Sequence, residues 1–234
     1  MSAARRTARA GRNLLIALIG GAVIIAAIVV AYVAGRGSNE PPVAVQSTSR
    51  ATTSVSDGGG GSLGSAPTGC LGGGMRTSDM VVSAQKVAQH STYGAVEVAT
   101  AFYRWSYRFP VPSPAEIKAV GSIFVPGEET KAQQSLTADY ARNPDPSGNV
   151  IKKGTPFYLS TVSGRWLAQP AIADKDVVVD IEASFVIDGA LSATRTTTEA
   201  FRMRWAEGAW RVAAVARADP AKLAAGGTTF TAGC

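Results

Sequence analysis

The stretch VVVDIEASFVIDG, residues 177–189, decides the fold of this chain. Its odd-numbered positions up to residue 187 are all apolar, whereas the positions between them include Asp180, Glu182 and Ser184. This alternation is typical of a β-strand with one buried face. Asp188-Gly189 is the strongest short signal for a hairpin turn, so we expect the chain to reverse there and continue as an antiparallel strand.

Two hairpins are expected from the turn signals. In the first, Ile187 pairs with Ala190, which places Glu182 opposite Arg195 as an opposite-charge pair. The second turns at Glu207-Gly208. Its expected cross-strand pairs are Trp205 with Trp210, Met203 with Val212, and Phe201 with Ala214. The sheet is therefore expected to be an antiparallel meander.

The strand between the two turns changes the face that it buries. The first hairpin directs its even-numbered residues inward and the second directs its odd-numbered residues inward, so the parity changes between Thr194 and Ala200. A β-bulge inserts an unpaired residue and bends the strand, which accounts for such a change. We therefore expect one long, bent strand over residues 190–206.

Helices are expected before the sheet, because apolar residues recur there at helical spacing and Ser113-Pro114 is a typical helix start. The predicted segments are helices within residues 91–109, 113–124 and 128–141, then short strands over 157–162 and 166–173. Helices followed by a curved antiparallel sheet make an α+β fold of the roll type.

The closing hairpin carries a resemblance to a known family. Residues 201–212, FRMRWAEGAWRV, resemble the last hairpin of the nuclear transport factor 2-like fold, in which a long bent strand returns through a glycine turn to a Trp-x-Val strand. The likeness covers about residues 95–216. It implies a cone-shaped α+β domain over residues 80–234, with its helices packed on the curved sheet.

Residues 14–34 form an uncharged apolar run. At ~1.5 Å per residue, a helix of this run reaches about 31 Å, which matches a hydrocarbon core of ~30 Å. Four arginines within residues 1–13 precede the run and only Arg36 follows it closely, so we expect the tail in the cytoplasm and the domain outside it. A cleaved signal peptide is the alternative, but its apolar region is normally shorter, about 7–15 residues. We therefore expect a single-pass protein of the cell membrane. Residues 35–79 are rich in Gly, Ser and Pro and are expected to be the linker between the span and the domain.

A single N-terminal span followed by such a domain is similar to the bitopic inner-membrane components of type IV secretion systems and of Gram-positive conjugation machinery. This resemblance implies assembly through protein partners or self-association rather than catalysis. The expected function is therefore that of a membrane-anchored extracytoplasmic protein-interaction domain. The alternative is a cone domain that binds a small ligand, or acts as an enzyme, in its cavity. Side chains that fill the cavity favour the first function, and an open pocket with convergent polar groups favours the second.

Cys70 and Cys234 are the two cysteines of the chain, and they bracket the predicted domain. The expected topology places both outside the cytoplasm, where disulfides persist. We therefore expect a bridge between them. Two free thiols, or an intermolecular bond through Cys234, are the alternatives.

Most of the basic character lies outside the domain. The chain has a net charge of +6, whereas the segment from Cys70 onward holds 17 basic and 15 acidic residues. A nucleic-acid-binding face is therefore not expected. Within the second hairpin a basic stripe lies opposite the Trp205 face, formed by Arg202, Arg204 and Arg211. It is either an ordinary solvated sheet face or a contact for an acidic protein or anionic lipid headgroups.

No catalytic motif is complete in the sequence. Isomerases of the cone fold use a pocket carboxylate beside a tyrosine, and the candidates here are Tyr103, Asp139 and Tyr140. Partly exposed helix residues without a shared role are the plainer interpretation. His90 is the only histidine, and no cysteine pair has metal-ligand spacing, so we expect neither a metal nor a cofactor.

Overall fold

Residues 65–170 and 176–234 are the part of the chain that the computed structural model describes. The tail, the membrane span and most of the linker predicted from the sequence lie outside these residues. Within them, no helix is both long enough and apolar enough to cross a membrane. The described residues form an α+β fold, with five α-helices packed on a five-stranded antiparallel sheet.

The α-helices and one short 3₁₀ helix mostly precede the sheet in the chain. They are α1 (Ser78–Val87), α2 (Thr92–Ser106), α3 (Pro114–Ala119), the 3₁₀ helix (Gly121–Ile123), α4 (Glu129–Arg142) and α5 (Pro220–Gly226). The three predicted helices are confirmed, with the second divided into α3 and the 3₁₀ helix. The sequence patterns do not predict α1 and α5, because both are short and bury few apolar side chains.

Capping side chains set where two of these helices begin. The Ser113 hydroxyl accepts a hydrogen bond from the Glu116 N–H, and the Glu116 carboxylate accepts one from the Ser113 N–H, a capping box that begins α3. The Ser91 hydroxyl accepts a hydrogen bond from the Gly94 N–H at 3.1 Å and begins α2. Both starts agree with the boundaries predicted from the sequence.

The sheet consists of β1 (Phe157–Pro170), β2 (Asp176–Ile187), β3 (Ala190–Ala206), β4 (Ala209–Ala216) and β5 (Thr228–Thr229). Its strand order is β4-β3-β2-β1-β5. The bounds of β3 confirm the long strand predicted between the two turns. The two short strands predicted before β2 are a single strand, because a register shift between Ser160 and Arg165 replaces the expected break.

A register shift lies between the two hairpins of β3, as predicted, but it begins two residues before the predicted interval of 194–200 and inserts three residues rather than one. The first hairpin pairs Ile187 with Ala190, as predicted. Beyond Leu191 the register shifts, and residues 192–195 of β3 stand against the single residue Phe185 of β2. β3 thus has three more residues than β2 at this shift. Because three is an odd number, the side chains of β3 that face the core are odd-numbered after the shift.

Two predicted cross-strand pairs are wrong because of irregularities in β3. The pairs observed are Glu182 with Thr198, in place of Arg195, and Phe201 with Val215, in place of Ala214. The first follows from the shift at residues 192–195, and the second from a further shift between Arg202 and Met203. The pairs of Trp205 with Trp210 and of Met203 with Val212 are confirmed.

The folded part of the chain begins before α1. The Gly69 and Leu71 N–H groups donate hydrogen bonds to the Glu97 carboxylate of α2, and the Thr231 N–H donates to the Pro67 carbonyl at 3.0 Å. Residues 67–79, which the sequence assigns to the linker, therefore belong to the domain. The side-chain pattern does not reveal this, because backbone groups make most of these contacts.

The core lies between α2 and the sheet. Every residue of α2 from Gly94 to Trp105 is buried, so this helix is enclosed on all sides over three turns. The Phe102 ring lies edge-on to the rings of Phe124 and Phe201, with centroids 5.9 and 5.6 Å away. These aromatic contacts join α2 to the loop after the 3₁₀ helix and to β3.

Candidate ligand-binding site

A cavity of about 410 Å³ lies between α2, α4 and the β3–β4 hairpin. Its apolar walls include Phe102, Phe124, Leu136, Phe201, Val212 and Val215. Its polar and charged lining includes Tyr103, Tyr107, Lys131, Asp139, Tyr140 and Glu199. The volume lies in the usual range for small-molecule sites, about 300–1,000 Å³.

The outer wall of the cavity is α4, which lies loosely on the domain. None of its residues is buried, although Leu136 and Tyr140 contact the core from one side. The Tyr140 hydroxyl donates a hydrogen bond of 2.6 Å to the Ser106 carbonyl at the end of α2. This hydrogen bond holds the C-terminal end of α4 against α2. The side chains of α4 do not fill the space in front of β3 and β4, and this space is the cavity.

Three tyrosines supply hydroxyl groups around the cavity. The Tyr103 hydroxyl donates to the Thr197 hydroxyl of β3 at 3.2 Å. Burial raises the pKa of Tyr103 well above its ordinary value, and it also raises the pKa of Tyr107 and of Tyr140. All three phenols are therefore protonated at neutral pH, and those of Tyr103 and Tyr140 donate their hydrogen bonds within the domain.

Glu199 is a half-buried carboxylate in the lining contributed by β3. Burial raises its pKa, and the hydrogen bond from the Ala200 N–H, at 3.3 Å, opposes this rise. No arginine, lysine or histidine within residues 65–170 and 176–234 forms an ion pair with it. The cavity therefore holds an acidic group whose ionised form has no ion-pair partner among the residues that the structure describes.

The three cavity candidates from the sequence all line this cavity. Tyr103 lies on its inner side, on α2, whereas Asp139 and Tyr140 lie on α4. Asp139 is exposed and forms an ion pair with Arg142, so it belongs to the rim. Glu199 is not among the residues predicted from the sequence, although the second hairpin carries the signal for it. Odd-numbered residues of β3 face inward there, and continuing this parity backward from Phe201 places Glu199 on the same side.

The predicted basic stripe does not present three free cations. Arg204 binds the Asp176 carboxylate through two nitrogens, at 2.8 and 3.0 Å. Arg211 donates to the carbonyls of Ser122 and Ala206. Arg202 is exposed and forms no ion pair with any described residue. Arg204 therefore joins β3 to β2, and Arg211 joins β4 to the 3₁₀ helix.

Cys70 and Cys234 are joined by a disulfide bond, with their Cα atoms 5.5 Å apart. Two hydrogen bonds join Cys234 to Thr161 of β1. The Cys234 N–H donates to the Thr161 hydroxyl and the Thr161 N–H donates to the Cys234 carbonyl, both at 2.9 Å. The bridge predicted from the sequence therefore joins the segment before α1 to the last residues, next to β1.

Two buried charged residues of α2, Glu97 and Arg104, are not among the residues predicted from the sequence. Arg104 is fully buried and donates to the carbonyls of Gly69 and Gly73, both at 3.2 Å. Burial and the nearby charge of Arg76 lower the pKa of Arg104 to about 10, and the charge of Glu97 opposes this. Glu97 and Arg104 are seven residues apart, about two helical turns, so they lie on the same face of α2. Two charged residues at this spacing in a largely apolar helix are the signal by which the sequence could have revealed them.

Within the described ranges, no three histidine, cysteine, aspartate or glutamate side chains converge to hold a metal ion. His90 stacks on the Trp205 ring, with centroids 4.2 Å apart. Comparisons with protein-family models, with curated protein sequences and with solved structures found no match to this chain. Its function therefore has to be inferred from the geometry of its own residues.

Proposed function

We propose that this domain binds a small organic molecule with an apolar body in the cavity between α2, α4 and the β3–β4 hairpin. The observation that carries the proposal is that this space is open, with apolar walls and with phenols and a carboxylate in its lining. A cavity filled by side chains was the arrangement expected of a pure interaction module. The open cavity therefore favours the ligand-binding alternative.

We expect Ala132→Trp to weaken binding of the neutral fluorescent probe N-phenyl-1-naphthylamine at least about tenfold. Ala132 lies on α4 and lines the cavity, so an indole at this position occupies the space of the ligand. Binding is measured from the rise in probe fluorescence on titration with the full chain. The matched control is Ala138→Trp, an exposed position of α4 outside the cavity lining, which should bind like the wild type.

Two results would contradict this proposal. One is a wild-type chain that does not bind the probe in a saturable manner. The other is an Ala132→Trp variant that is folded by circular dichroism and binds the probe as tightly as Ala138→Trp. Either result would show that the probe does not enter the cavity.

The last residues of β4 favour a second function, protein interaction outside the cytoplasm. The earlier part of this edge is covered, since Val212 is bridged to Phe124 and the Trp210 carbonyl accepts a hydrogen bond from Gln85. β4 is an edge strand, and its last residues, 213–216, are all Ala or Val. Val215 is 64% exposed. An apolar edge without charge or proline can accept an extended segment of another protein as an added strand. The resemblance of the closing hairpin to the nuclear transport factor 2-like fold supports this second proposal, as does the resemblance of the predicted membrane topology to conjugation and secretion components.

For this second function we expect Val215→Asp to reduce crosslinking of the chain to its partner at least about threefold. The added charge opposes strand pairing at the edge of β4. The measurement uses a membrane-impermeant amine-reactive crosslinker on intact cells, so a product also requires the domain to lie outside the cytoplasm. The control is Val150→Asp, because Val150 is exposed and lies away from the sheet edge. Equal crosslinking of the two variants would exclude the β4 edge, and a chain that the reagent does not reach would overturn the predicted topology.

A further inference from the structure

We propose that the cavity selects ligands that carry a positively charged ammonium group, which pairs with the Glu199 carboxylate. This inference rests on the proposed ligand-binding function and specifies the chemical class of the ligand. The apolar body of the ligand would lie against the aromatic walls, and its ammonium group would lie beside β3.

The position of Glu199 in the sheet directs it toward the cavity. Thr197, Glu199 and Phe201 alternate along β3 and therefore share one face. Thr197 accepts the hydrogen bond of Tyr103 on this face, and Phe201 contacts Phe102 there. The residue opposite Glu199 on β2 is Ile181, which is fully buried. Glu199 is thus a carboxylate on a face that otherwise meets α2 through apolar or hydroxyl side chains.

The net charge of the cavity lining around Glu199 favours the binding of a cation. Tyr103 of α2 and Tyr107, which follows the last residue of α2, line this part of the cavity, and both are neutral phenols at neutral pH. The charged lining residues of α4 and its N-terminus are Glu128, Lys131 and Asp139. Lys131 is exposed and forms no ion pair with Glu199. Asp139 is paired with Arg142, so with Glu199 ionised the remaining charges are two carboxylates, Glu199 and Glu128, and the Lys131 ammonium group. Their sum is negative.

Aromatic rings add to the preference for a cation. Tyr103 and Phe201 have ring centroids 5.7 Å apart, and Tyr103 and Tyr107 have centroids 5.5 Å apart. These three rings line the cavity together with Glu199, and ring faces attract ammonium groups. A partly buried carboxylate without a counter-ion is costly, and this cost is relieved when a cation binds beside it.

The test compares 4-phenylbutylamine with 4-phenylbutan-1-ol, which differs from it only in carrying a hydroxyl in place of the ammonium group. Each competes with N-phenyl-1-naphthylamine for the full chain at pH 7.5. We expect the amine to bind at least about tenfold more tightly than the alcohol. Glu199→Gln should bring the amine to the affinity of the alcohol while the affinities for the alcohol and the probe stay within about twofold. The matched control, Glu128→Gln, removes another carboxylate of the lining and should lower the preference by no more than about twofold, because only Glu199 pairs with the ammonium group.

A pH profile of the wild type tests the same inference without a variant. Alkylammonium groups titrate near pH 10, so the amine keeps its charge below pH 8. Burial raises the pKa of Glu199, so this carboxylate should gain its proton before an exposed glutamate as the pH falls. The preference for the amine should therefore decrease as the pH is lowered toward 4, while the affinity for the alcohol should not change. Glu128→Gln and Asp139→Asn should show the same profile, because neither carboxylate is the one that pairs with the amine.

The outcomes separate this inference from the function on which it rests. A wild-type chain that does not bind the probe overturns the ligand-binding function. A chain that binds the probe but holds amine and alcohol equally overturns the ammonium preference alone. An amine preference that survives in Glu199→Gln also overturns it. If Glu199→Gln loses the probe through misfolding, Glu199→Asp and the wild-type pH profile decide instead, because the aspartate keeps the charge and should keep the preference.

Discussion

Glu97→Ala is expected to lower the free energy of unfolding by about 3–5 kcal/mol, because it removes one member of a buried charged network and leaves several donors without an acceptor. One Glu97 oxygen accepts from the Thr68 N–H, from the Thr68 hydroxyl at 2.8 Å and from the Gly69 N–H at 3.2 Å. The other accepts from the Leu71 N–H at 3.3 Å. The charge of buried Arg104 would also lose the nearby carboxylate.

Urea denaturation of the oxidised chain measures this loss. The matched control is Glu97→Gln, which keeps one carbonyl oxygen as an acceptor for the segment before α1. We expect it to cost less, about 1–3 kcal/mol, since the oxygen remains while the charge is lost. A loss of less than about 1 kcal/mol for Glu97→Ala would mean that this network does not hold the N-terminal segment.

The second large effect is expected when both Cys70 and Cys234 are replaced by serine. The bridge joins residues that are 164 positions apart. The chain-entropy description of crosslinks assigns about 5 kcal/mol to such a loop, and measured values are often smaller. We therefore expect a loss of about 3–5 kcal/mol, seen as a lower midpoint of urea denaturation than that of the wild type without reductant.

Thiol alkylation gives the control for this prediction. The chain isolated without reductant and unfolded in iodoacetamide should gain no label, and after reduction it should gain two. Labelling before reduction would contradict the bridge. A double-serine variant as stable as the wild type would show that the hydrogen bonds of Thr161 with Cys234 hold the two ends without it.

Local chemistry explains which parts of the fold the sequence predicts well. Asp188-Gly189 and Glu207-Gly208 each occupy the left-handed conformation that tight hairpin turns require, with φ between 49° and 81°. Both turns, and the pairs next to them, therefore follow from a few neighbouring residues. Pairing farther from each turn depends on where bulges form. Residues 192–195 carry no composition that distinguishes a bulge from a continuous strand, so the partner of Glu182 is not predictable from the sequence.

The candidate site is predictable only in part for a similar reason. Tyr103, Asp139 and Tyr140 are found because their residue types suggest chemistry. Their arrangement around one cavity depends on how far α4 lies from the sheet, and helix periodicity does not encode this distance. Glu199 could have been found by extending the parity of the second hairpin. The network of Glu97 with the N-terminal backbone could not, because its partners are peptide groups rather than side chains.

The loose packing of α4 has a consequence for the range of molecules that the domain can hold. The helix buries none of its own residues, so moving it outward removes few buried contacts. The sheet and α2 carry the buried core and do not need to change. The volume of the cavity can therefore adjust at little cost in free energy, while Glu199 stays fixed on β3. Such a site would recognise a ligand by the position of one charged group and tolerate variation in the length of its apolar part.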